Sequence, residues 1–231
     1  MSRIEFGEAR RLATSVLTSS ERRCLLWLAP RLPRWVNSDH LTMLALIAMM
    51  MAGVSYYLSR WHPPALLLAV GWLAVNWFGD SLDGTLARVR GHQRPRYGFY
   101  VDHVVDCFGV LFLLAGLALS GYMSPLVAMA LLVAYFMLSI EIYLATYCLT
   151  VFRLSFWGFG PTELRLLLAI GTVALLFRPT VEILGSRHLL FDVGGIAAIA
   201  GIAVALLVAV VQNVRALYRA EPLPVLAGAA R

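Results

Sequence analysis

The chain has 231 residues, 60% of them hydrophobic and only 14% charged, with a formal net charge of +6; its mean hydropathy is +0.76. A soluble domain carries about 25% charge, and several apolar stretches here reach or approach the roughly 20 residues that span a bilayer. Composition therefore excludes an ordinary soluble enzyme and predicts one integral membrane domain with short loops. All 19 basic residues are arginine, an excess that in a membrane protein speaks to topology and anionic lipid, not nucleic acid.

In chain order, residues 1–36 form an arginine-rich juxtamembrane segment in which Ile4, Phe6, Leu12, Val16 and Leu17 are interspersed. This pattern predicts an amphipathic helix on the membrane surface; a solvated arm is the alternative. Pro30 and Pro33 break it before the first span. Residues 37–219 form the membrane domain, all-α, with six spans expected near 41–59, 65–88, 99–121, 125–149, 164–178 and 193–217, the fifth short. Residues 220–231 form a tail. An even span count puts both termini on one side. With that side cytoplasmic, the inner segments hold every arginine except Arg60, Arg178 and Arg187, sixteen of the nineteen, which sets the orientation. Cys24, Cys107 and Cys148 show no CxxC spacing and indicate neither a disulfide framework nor a zinc site. The small-residue run Ala197, Gly201 and Ala205 marks a helix contact surface, within the monomer or at a dimer seam.

The second and third spans carry four acids: Asp80, Asp83, Asp102 and Asp106. Each charge in a membrane helix costs at least about 2.5–3.5 kcal/mol on insertion scales, and neighbouring Arg88 cannot neutralise four. Asp80, Asp83, Gly84 and Ala87 follow i, i+3, i+4, i+7 spacing, one helix face; Gly98, Asp102 and Asp106 are spaced by four, again one face. The two spans are antiparallel and share a short loop, so all four carboxylates are expected in one shallow cavity open to the cytoplasm. Hard oxygen donors without His or Cys suit Mg²⁺, Mn²⁺ or Ca²⁺. Acids paired with arginines for folding alone would leave the charge excess unexplained.

Read together, Asp80-x2-Asp83-Gly84-x2-Ala87-Arg88-x9-Gly98-x3-Asp102-x3-Asp106 resembles the defining motif of the CDP-alcohol phosphotransferase family at every fixed position. Upstream, Asn37-Ser38-Asp39-His40-Leu41-Thr42 resembles the family's Pro-Asn-x-Leu-Thr entry to the first span, without its proline. Asn37 is thus either a ligand contact or part of a helix start capped by Ser38 or Asp39. The resemblance implies a CDP-linked donor whose pyrophosphate lies across two Mg²⁺ ions (Mn²⁺ is an alternative), an alcohol acceptor, and release of CMP. It further implies Asp80, Asp83, Asp102 and Asp106 as metal ligands, Asp106 also as general base, and Gly84, Ala87, Arg88 and Gly98 around the CDP group. A homodimer in the bacterial inner membrane, with the site facing the cytoplasm, is the expected setting.

Two donor classes fit the family: CDP-diacylglycerol with a polar alcohol, the preferred reading, and CDP-choline or CDP-ethanolamine with diacylglycerol. The segment Glu141-x-Tyr143-x2-Thr146, with Leu154-Ser155 and Gly160-Pro161-Thr162-Glu163, resembles a stretch of the second class. Arg153 and Arg165 are possible acceptor-phosphate contacts or topology anchors; Glu163 is a possible head-group contact or a helix cap. Asn76, one turn before Asp80, either touches the site or bonds within the bundle, and His103 is expected to point off the aspartate face. Outside the family, a lipid pyrophosphate hydrolase and a cation transporter are the competing functions.

Overall fold

The computed structural model describes residues 10–12, 17–153 and 160–221, and the side chains of all of these except 10–12 and 151–153. Within the N-terminal segment, Ile4, Phe6 and Val16 lie outside the described residues, as do Leu154, Ser155 and the tail beyond 221.

Among the described residues, seven helices dominate. A short helix α1 (Thr18–Leu28) and a 3-10 turn at Ala29–Arg31 lead into α2 (Ser38–Leu58), α3 (Ala65–Val89), α4 (Pro95–Ser120), α5 (Pro125–Leu149), α6 (Pro161–Leu175) and α7 (Leu190–Ala220). Five of them, α2, α3, α4, α5 and α7, are long and apolar enough to cross a membrane, and the protein is a multi-pass membrane protein. The sixth expected span is α6, only 15 residues long. At 1.5 Å per residue it reaches about 22 Å, short of a hydrocarbon core of about 30 Å. The count of six full spans is therefore not exact. The chain after α6 folds into a hairpin, β3 (Thr180–Ile183) against β4 (Ser186–Leu189), that the sequence reading did not anticipate. A second small element pairs β1 (Arg10–Leu12) in parallel with β2 (Val151–Arg153).

Proline and glycine set the helix limits. Pro95, Pro125 and Pro161 open α4, α5 and α6 at the first helical position, where the missing N–H costs nothing. Gly121 closes α4 in the left-handed conformation, at φ 84°. At the start of α2, Asn37 is the cap: its side chain accepts from His40 N–H at 2.9 Å, and His40 Nδ1 accepts from Asn37 N–H at 3.2 Å. The expected caps Ser38 and Asp39 are instead free to reach α3 and the α3–α4 loop.

Helix α2 lies between α3 and α4 and packs along both. Its approach to α4 is backbone on backbone: a Cβ at Gly116 would stand 2.0 Å from the Gly53 carbonyl oxygen, and one at Gly53 2.2 Å from that of Phe112. One apolar core joins Ala52, Tyr56, Leu66, Leu73, Leu117 and Leu175. Tyr56 is fully buried and bonds through its hydroxyl to Thr172 of α6. A second cluster of Leu25, Ala29, Leu41, Leu82 and Leu86 fixes α1 against α2 and α3, at the end of the bundle where the aspartates lie.

Candidate active site

Helices α3 and α4 run antiparallel and meet at the short loop 90–94, so the last turns of one and the first turns of the other share a level. There Asp80, Asp102 and Asp106 each offer a carboxylate oxygen, all within 4.8 Å of one another. Ligand oxygens on one Mg²⁺ lie about 3 Å apart when adjacent and about 4 Å when opposite, given bonds of about 2.1 Å in an octahedron. The three oxygens are close to that range, and the donor set is hard oxygen. The arrangement fits a divalent cation.

Asp83 is held differently. Thr42 Oγ of α2 donates to its carboxylate at 2.6 Å, the Gly84 N–H also donates to it, and Ser38 Oγ donates to its backbone carbonyl at 2.9 Å. The four acids thus form a group of three with Asp83 beside it. A counter-charge comes from α6: Arg165, expected at most to meet an acceptor, forms an ion pair with Asp80 in which both side chains are 18% exposed. Asp102 has His103 Nδ1 3.8 Å away. The His103 ring is packed against Phe99 and Tyr143, with centroids at 4.0 and 4.9 Å, and its Nδ1 lies 2.6 Å from the Phe99 carbonyl oxygen.

Room remains on the motif face. A Cβ at Gly98 would meet nothing within 4 Å, and one at Gly84 only the Arg88 guanidinium at 3.5 Å. Neither glycine is required by packing within the chain. Arg88 donates to Thr85 Oγ at 3.0 Å. Ala87 lines a cavity of about 440 Å³ together with Asn37, Asp39, Arg90, His92 and Arg94. Its wall is built by Arg90, which donates to the carbonyls of Val36, Leu32 and Pro33, and by Arg94, which bonds both Asp39 oxygens at 2.6 and 2.7 Å. The hydrogen bond it donates to Asp39 pushes the Arg94 guanidinium above its ordinary pKa. The pair is solvent-exposed, at 55% and 41%, so its contribution to stability is small.

Other expected contacts are engaged elsewhere. Glu163 accepts from Gly160 N–H and Leu17 N–H, each at 3.0 Å, which makes it the cap of α6. Glu141 accepts from Asn213 of α7. Asn76 is buried and donates to the Ala45 carbonyl at 3.1 Å, bonding within the bundle; its Oδ1 has no partner among the described residues. Arg153 lies in β2, but its side chain is outside the described residues. Sequence reasoning gave Ser38 only a capping role, left Thr42 in the entry motif without a contact, and used Arg90 for topology alone. The signal for Thr42 and Ser38 was their place in that motif, as polar residues one turn apart at the entry to an apolar span.

A family model for CDP-alcohol phosphatidyltransferases matches residues 35–216. The chain is also similar to the archaetidylinositol phosphate synthase of Pyrococcus horikoshii, at 29% identity over 104 residues, 45% of this chain. It spans about half the length of that curated relative, 52%.

Proposed function

The chain belongs to the CDP-alcohol phosphatidyltransferase family, and from that membership we propose that it transfers a phosphatidyl group from CDP-diacylglycerol to a polar alcohol, releasing CMP. The observation that carries this reading is the convergence of Asp80, Asp102 and Asp106 within 4.8 Å, beside Gly98, with open space over it, and Gly84, faced only by the Arg88 guanidinium.

Asp80, Asp83, Asp102 and Asp106 would hold two Mg²⁺ ions, which when bound neutralise the pyrophosphate and polarise the phosphorus under attack. The remaining work falls to the chain's own groups. Gly84, Ala87 and Gly98 leave the surface on which the cytidine lies, and Arg88 faces the donor phosphates. Asp106 takes the proton of the acceptor hydroxyl as its oxygen bonds to the β-phosphorus; the bond from that phosphorus to the bridging oxygen breaks, and CMP leaves with the electron pair. Such a displacement needs positioning and charge neutralisation more than covalent catalysis. The arginine distribution orients the site toward the cytoplasm, where CDP-linked donors and CMP are water-accessible.

Two findings favour the CDP-diacylglycerol class over the amino-alcohol class. Glu141 and Glu163, the acids available to a cationic head group, are tied to Asn213 and to backbone N–H groups. The Pyrococcus relative is named for making archaetidylinositol phosphate, the product of transfer onto a polar acceptor. The test is a substrate panel with Mg²⁺: CDP-diacylglycerol with glycerol 3-phosphate, inositol phosphate or serine, and separately CDP-choline or CDP-ethanolamine with diacylglycerol. Alcohol-dependent CMP release with a new phospholipid in the first set is expected. Release that ignores the alcohol would instead identify a hydrolase, and turnover confined to the second set would reverse the donor assignment.

A further inference from the structure

Glu21 is bonded from two helices at once. One of its carboxylate oxygens accepts from Trp77 Nε1–H at 2.8 Å, Ser81 Oγ at 2.9 Å and Thr162 Oγ at 2.8 Å. Trp77 and Ser81 are one turn apart on α3 and bracket Asp80; Thr162 is one turn before Arg165 on α6. The backbone bond from Leu17 to Glu163 ties α1 to α6 a second time. Helix α1 therefore presses the first turns of α6 onto α3 at the level of the aspartates. Arg165 lands there on Asp80, with Asp106 and Glu21 also near enough to attract it.

A guanidinium and a divalent cation on one carboxylate repel each other, and more strongly where little water screens them. A divalent ion held by Asp80 would therefore have to work against the Arg165 charge. We propose that Arg165 is a built-in competitor of the divalent ion for Asp80, and that Glu21 is the positioning residue that holds it there by clamping α6 onto α3. The inference rests on the reading of the aspartates as a metal site, but not on the identity of the substrate. It makes α1, the short helix ahead of the first span, part of what sets metal affinity.

The test is a Mn²⁺ titration of the purified full-length chain in detergent, without substrate, read from the electron paramagnetic resonance signal of free Mn²⁺. R165Q is expected to tighten Mn²⁺ binding about tenfold, the scale of changes around metal ligands, whereas R165K, which keeps the charge, stays near wild type. E21Q is expected to tighten binding about threefold in the wild-type background and to change nothing in R165Q, a coupling that a double-mutant cycle isolates. A merely structural Glu21 would weaken binding, and by the same factor in both backgrounds. T162V and S81A, which each remove one donor to Glu21, repeat the test if E21Q does not fold. Unchanged or weaker Mn²⁺ binding in R165Q, or no binding in any variant, overturns the proposal. Failure of the wild type to release CMP from any donor would sink the assigned reaction and leave these titrations unaffected.

Discussion

Thr42 and Asp83 show how one hydroxyl divides the acids. Thr42 has a single proton to give and two acceptors in reach, the Ser38 carbonyl at 3.1 Å and the Asp83 carboxylate at 2.6 Å. The shorter contact to the charged group takes it, since charge-assisted bonds are shorter and stronger. T42V keeps the shape and removes the donor, so a loss of roughly tenfold in divalent-ion affinity is expected, with thermal stability changed by no more than about 1 kcal/mol; a Mg²⁺ dependence of CMP release measures it. Asp106 is the assigned base, and D106N is expected to reduce CMP release by at least about a thousandfold while the protein stays folded by circular dichroism. Near-normal turnover would remove Asp106 from that role. G98A separates ligand space from packing. Its Cβ meets nothing within 4 Å, so the melting temperature should hold while KM for the CDP donor rises.

At the scale of elements, the contrast to Gly98 is Gly116. There an added Cβ meets backbone, the Gly53 carbonyl at 2.0 Å, and backbone cannot rotate away. G116V is expected to force α2 and α4 apart at a cost of about 1–3 kcal/mol or more, read as a lower melting temperature. The consequence for function is indirect but definite. Helix α2 brings Thr42 and Ser38 to Asp83, so displacing it also loosens the site. Helix α6 illustrates the opposite case. Its 15 residues are too few for a full crossing, yet Thr172 meets Tyr56 at one end and Arg165 meets Asp80 at the other. It is tied into the bundle by side-chain bonds near both of its ends.

For the whole molecule, the aspartates, the 440 Å³ cavity and helix α1 lie at one end, and the β3–β4 hairpin follows α6 at its other end. The arginine count predicts that the first end faces the cytoplasm. In a background lacking Cys24, Cys107 and Cys148, a cysteine at His92 should react with an impermeant maleimide only after intact cells are opened. One at Leu184, fully exposed in the hairpin turn, should react before. The reverse labelling would invert the orientation and place the site on the far side from its donor.

By itself the sequence determined the membrane class, the helical content, the approximate places of the long spans and the identity of the four acids. These depend on composition and on spacing along one helix, which are local properties of the chain. Only the tertiary structure decided which side chains from other helices reach the acids. Arg165 is 85 residues from Asp80, and Thr162 is 141 from Glu21; no periodicity links positions so far apart. The hairpin escaped notice because its turn is Leu184-Gly185, with the leucine at φ 53°, where Asn or Asp is the usual signal. The division of the acids into three and one was likewise hidden, because it turns on where α2 sets Thr42 against α3. Spacing places carboxylates on a face, but the partner that turns each one is supplied by packing.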